Sequence, residues 1–118
     1  TFKERGNRAF HQRQWKDAES WYSQALKCGM DEEHSEAYAL LYSNRSEVRM
    51  KLQDFRGAAD DGDEALKYLK SLAALSGLNE ETQALRRKTV LRLARALQAM
   101  QRMSEAMRLL HHERRNFP

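Results

Sequence analysis

Cysteine, proline and long apolar runs are what this 118-residue chain has least of. The single cysteine, Cys28, excludes an internal disulfide and fits a reducing, cytoplasmic setting. The single proline is Pro118, so no proline interrupts a helix before the last position. No apolar stretch approaches membrane-spanning length, and nothing at the start reads as a signal peptide. No glycine loop that would cradle a phosphate is present, and no nucleophile motif. No histidine–cysteine–carboxylate set has metal-ligand spacing: His111 and His112 are adjacent and point apart, while His11 and His34 stand alone. Asp60, Asp61, Asp63 and Glu64 resemble half a calcium loop without its spacing, and read as the acidic outer face of a helix. These absences argue against an enzyme and against a resident metal or cofactor.

What remains is alanine- and leucine-rich sequence with apolar residues three and four apart, which predicts helices throughout one domain. The chain also repeats itself. Gly6, Ser46 and Ala94 are small residues in a first helix. Trp15, Phe55 and Met103 follow as a large apolar opening to a second helix, and Ala18, Ala58 and Ala106 come three residues later. Cys28 and the two tryptophans, Trp15 and Trp21, read as packing residues of this array.

Those offsets resemble the tetratricopeptide repeat, along essentially the whole chain. The resemblance implies an all-α solenoid of three helix–turn–helix units in a right-handed superhelix, spanning about 1–32, 37–75 and 82–116. The third unit departs from the pattern, with Leu110 and Glu113 where Tyr22 and Ala25 stand in the first. The units are 40 and 48 residues apart, against about 34 in the plain repeat, so the excess lies between them. A second helix of the second unit running to about Leu75 accounts for part of it, with Ser76–Gly77 as the stop and Asn79 as the next N-cap. No seventh helix caps the last unit, which predicts a chain that is a fragment of something longer.

Charge is unevenly placed. The net charge is +4, with a pI near 9.4. Stretches 2–13, 37–51 and 82–100, expected to line the concave side, carry +3, +2 and +5. The three expected outer helices together carry none. A basic groove suits an acidic guest.

Within it, Lys3 and Asn7 are spaced i,i+4, as are Lys88 and Arg92, so each pair projects from one helical face with Asn44 on a helix between them. This set resembles the carboxylate clamp of one co-chaperone subfamily of tetratricopeptide proteins. The resemblance implies binding of the Glu-Glu-Val-Asp C-terminus of cytosolic heat-shock protein 90 or 70. Lys3, Asn7 and Asn44 would hold the terminal carboxylate, and Lys88 and Arg92 would lie nearer the aspartate side chain. Lys51 and Arg95 become secondary contacts to upstream glutamates, and Phe10 and Met50 supply apolar surface. Two other functions compete: an adaptor of the same fold that binds an internal acidic segment, and an RNA-binding surface at Arg86, Arg87, Lys88, Arg92 and Arg95. The last lacks an exposed aromatic stacking set.

Overall fold

The computed structural model describes residues 1–28 and 35–116. Five helices follow in order: α1 (Phe2–His11), α2 (Trp15–Lys27), α3 (Ser35–Lys51), α4 (Phe55–Ser76) and α5 (Glu80–Asn116). They pack as an all-α, tetratricopeptide-like solenoid, elongated to 58 × 31 × 22 Å. The connecting stretch 29–34 lies outside the described residues. Among the described residues, no helix is long and apolar enough to cross a membrane.

Two helical hairpins, α1–α2 and α3–α4, are built the same way. Each turn is closed by a left-handed residue, Arg13 at φ 58° and Gln53 at φ 62°. The next amide reaches back five residues in both: Gln14 N–H to the Ala9 carbonyl at 2.9 Å, and Asp54 N–H to the Arg49 carbonyl at 2.8 Å. A left-handed non-glycine residue costs roughly 1–2 kcal/mol, and packing offsets it. Trp15 meets Phe10 edge-on at 5.3 Å in the first turn, and the Asp54 carboxylate accepts from Gly57 N–H in the second. The small positions serve close approach. A Cβ on Gly6 would meet the Tyr22 ring at 2.7 Å, and the Ser46 hydroxyl donates to the Ala58 carbonyl across the hairpin.

Helix α3 is the central helix, and it buries two opposite faces. Leu41 and Val48 join Ala9, Ala18, Tyr22 and Ala25 in the first core. Ala39, Ser43 and Ser46, on the other side by helical period, are also buried. Ala58 and Ala59 of α4 form a second core with Ala96 of α5, flanked by Met50, Leu93 and Met100. The long α4 and its stop are as expected: Gly77 ends it at φ 77°, and the Asn79 side chain accepts from Thr82 N–H to start α5.

The third unit is where the structure departs from the sequence reading. The expected turn between Met100 and Met103 is absent, and α5 runs unbroken for 37 residues. Ala94, expected at a helix crossing, is exposed, as is Ala106. Met103, the expected plug, is 52% exposed, and Met107 and Leu110 are more so. The reason is local. Neither contact that offsets the left-handed residue in the first two turns is available: Gln98 stands where Phe10 meets Trp15, and Arg102, where Asp54 stands in the second unit, cannot accept a capping hydrogen bond. Met100, Met103, Met107 and Leu110 meanwhile continue, at spacings of three and four, the seam that Thr89, Leu93 and Ala96 begin.

Two smaller expectations are also corrected. Cys28 is exposed rather than packed. Asp60 and Asp63 do face outward, but Asp61 is only 2% exposed, because it lies on the side of α4 that meets α3.

Candidate peptide-binding groove

Helical period sorts the polar residues of α3 onto two sides. Arg45 and Arg49 lie at the back, towards α2 and α4. Arg45 grips buried Asp61 with both Nε, at 2.8 Å, and Nη2, at 2.7 Å, and its Nη1 donates to Ser23 Oγ. Arg49 Nη1 donates to the same carboxylate at 3.1 Å, and its Nε to Glu19 at 3.0 Å. Burial works against the Arg45 charge, yet the Asp61 hydrogen bond and charge more than offset it and raise its pKa. Both arginines, counted above with the groove, are thus bound up between helices.

The other side of α3 carries Asn44, Glu47 and Lys51 at i, i+3 and i+7. Helix α1 presents Lys3, Asn7 and Phe10 with the spacing i, i+4, i+7, and α5 presents Lys88, Arg92 and Arg95 likewise. Among the described residues, α3 and α5 are joined directly on this side by Arg92. Its Nη1 donates to both the carbonyl and the hydroxyl of Ser43, each at 2.9 Å, and its Nε lies 3.3 Å from Glu47 Oε2. The Ser43 and Thr89 hydroxyls are 2.8 Å apart, and Thr89 Oγ1 lies 2.7 Å from the Leu85 carbonyl. Because guanidinium only donates and the carbonyl only accepts, the protons have one order. Arg92 donates to Ser43, Ser43 to Thr89, and Thr89 to Leu85.

The Asn7 amide is fixed from behind. Tyr22 donates its hydroxyl proton to Asn7 Oδ1 at 2.6 Å, which leaves the amide N–H groups for another acceptor. Burial pushes the Tyr22 pKa up, and the nearby Arg92 charge partly counters this. Burial likewise lowers the Arg92 pKa, with the Glu47 carboxylate opposing.

The remaining expected residues fall as follows. Lys3 and Asn44 are half-buried and Lys88 is exposed, and none of the three has a polar partner among the described residues. Lys51 is exposed, 3.9 Å from Glu47 and 5.9 Å from the centre of the Trp15 ring. Arg95 is exposed. Phe10 packs against the first core and Met50 against the second, so each offers a guest only part of its surface. Sequence reasoning missed Tyr22, Ser43, Thr89 and Glu47. For Glu47 the signal was available, as an acid three residues after Asn44 on the same helical face. A cleft of about 780 Å³ does exist elsewhere, between α4 and α5, lined by Leu66, Leu69 and Val90 with Lys70, Arg86 and Arg87. It shares no residue with the groove. Among the described residues no cluster of side chains fits a metal ion.

Comparison with known proteins supplies one relative. Over 82 residues the chain is 37% identical to a DnaJ homolog subfamily C member 7 homolog of Schizosaccharomyces pombe. The match covers 66% of this chain and 17% of that protein, so the chain spans about a sixth of the relative's length. No family model matches the chain, and no solved structure does. The chain is therefore similar to part of a DnaJ homolog, and its described residues build tetratricopeptide-like helical hairpins.

Proposed function

We propose that this domain is a non-catalytic adaptor that holds the free C-terminus of a chaperone tail ending in Glu-Glu-Val-Asp, the tail shared by heat-shock proteins 90 and 70. The reading rests above all on one observation: with its oxygen held by Tyr22, Asn7 keeps its amide N–H groups for another acceptor, and we read it as facing one groove with Lys3, Asn44, Lys88 and the Nη2 of Arg92, free among the described residues. Such a set suits two carboxylates on one residue. Charge-assisted bonds are about twice as strong as neutral ones, and the two carboxamides add donors without adding mutual repulsion. The relative's name, a DnaJ homolog, agrees with work among chaperones.

Calorimetry with a tail peptide in its free-acid and amidated forms tests the proposal. The acid is expected to bind in the micromolar range, about −8 kcal/mol, and amidation to weaken it by about 1.5–3 kcal/mol. Equal binding of the two forms would remove the clamp and favour an internal acidic segment as the guest.

A further inference from the structure

Among the described residues, Glu47 is the carboxylate of α3 that contacts the groove cations, and it occupies two that a guest would use. It lies 3.3 Å from Arg92 Nε and 3.9 Å from Lys51 Nζ. Arg92 is the more constrained, with its side chain 13% exposed against 21% for Glu47. Guanidinium grips a carboxylate with two parallel N–H groups, along either its Nε–Nη2 edge or its Nη1–Nη2 edge. On Arg92 both edges are half-filled. Nη1 is committed to Ser43, whose carbonyl belongs to the helix and whose hydroxyl is buried in the chain to Thr89. The other edge is obstructed only by Glu47, a side chain with three rotatable bonds at the groove surface. Nη2 has no partner among the described residues.

We propose that Glu47 is a built-in occupant of the guest site, a specificity-determining residue that an incoming carboxylate must displace from the Nε–Nη2 edge of Arg92. The inference rests on the tail-binding reading above and adds a selection rule to it. With the groove empty, Glu47 neutralises Arg92 and Lys51. Exchange of one carboxylate for another at Arg92 is nearly balanced, so a guest with a single acidic group gains little. A guest whose last residue brings a second carboxylate to Lys3, Asn7 and Asn44 has a surplus. The arrangement favours dianionic chain ends over acidic segments in general, at some loss of absolute affinity.

Glu47→Gln tests this, because it removes the charge and keeps the shape. Calorimetry is expected to show the free-acid tail binding about tenfold tighter to this variant. The amide should gain by about the same factor, since in both forms the aspartate side chain then reaches Arg92 unopposed. Glu47→Asp, which keeps the charge but withdraws it by one carbon, should fall between. Unchanged or weaker binding of the free acid would overturn the proposal. A second measurement separates it from the tail reading: inorganic sulfate titrated into each protein, followed by the Arg92 Nε–H resonance. If neither protein binds the tail but Glu47→Gln binds sulfate several-fold more tightly at Arg92, the tail reading fails and the built-in occupant stands. If sulfate binding there is indifferent to the substitution, the occupant fails whatever the peptide does.

Discussion

The two sides of α3 use the same chemistry with opposite outcomes. At the back, Arg45 and Arg49 share Asp61 and Arg49 also meets Glu19, all at 3.1 Å or shorter, with Asp54 3.9 Å from Arg49. On the groove side Arg92 and Lys51 share Glu47, at 3.3 and 3.9 Å, while Lys3, Lys88 and Arg95 meet no carboxylate among the described residues. Supply of anions is the difference. Where it is complete, cations tie three helices together. Where it is short, cations remain available to something that arrives with carboxylates of its own.

Removing the shared carboxylate at the back is the most severe way to break this contrast. Asp61→Ala leaves two guanidiniums facing a dry space and should cost about 3–5 kcal/mol of stability, read by urea unfolding. A loss under about 1 kcal/mol would put the back network on a par with surface pairs.

Gly6→Ala sharpens the groove side. Its new Cβ would press on the Tyr22 ring, and helix separation, ring position and the Asn7 bond cannot all survive. The expected loss is about 1–3 kcal/mol of stability, with weaker tail binding beside it. Unaltered unfolding with unaltered binding would mean that Tyr22 does not set Asn7.

Lys88→Ala should separate binding from folding. Its ammonium is exposed and unpartnered among the described residues, so stability should stay within about 0.5 kcal/mol while tail affinity falls by about 1 kcal/mol and becomes less salt-sensitive. An equal loss of both would make it a structural residue.

A pH series tests burial behind the groove. The Tyr22 and Tyr42 pKa values are raised, in each case chiefly by burial. A raised tyrosine pKa means that folding favours the protonated phenol. Its contribution is full below the ordinary value of about 10 and is lost as pH rises through the folded value. Stability should therefore decline above about pH 10, and Tyr22→Phe should flatten that decline. The same slope in wild type and variant would exclude Tyr22 as a source.

The smallest effect is expected at the far end of α5. Replacing Met103, Met107 and Leu110 together by Gln should alter stability by less than about 0.5 kcal/mol, whereas Trp15→Ala at the matching position of the first unit should cost about 3 kcal/mol. A loss of several kcal/mol in the triple variant would mean that these side chains pack as the plugs of the first two units do.

The helices, the stop of α4 and the start of α5 were legible in the sequence because each has a local cause. Apolar residues recur with helical period, Gly77 takes a positive φ readily, and the Asn79 side chain caps the amide three residues on. The Lys3–Asn7 and Lys88–Arg92 faces were legible for the same reason, since i,i+4 spacing fixes a common side whatever surrounds the helix. The third turn misled because Met100, Met103, Met107 and Leu110 satisfy two patterns at once, a broken hairpin and an unbroken seam. What distinguishes them is the contact that offsets the left-handed turn residue, Phe10 on Trp15 in the first unit and the Asp54 cap in the second. Gln98 and Arg102 stand in those places and supply neither.

By itself, then, the sequence determined which segments are helical, where they pair in the first two units, and which polar side chains share a helical face. Tertiary structure alone decided which of those faces are supplied with anions. The charge of α3 is the same wherever its neighbours lie. Whether Arg45 is a strut or a ligand site depends on Asp61 arriving from α4, 16 residues along the chain, and whether Arg92 is open depends on Glu47 arriving from α3. Electrostatic roles follow distance and desolvation, and both are properties of the packed helices rather than of any one of them.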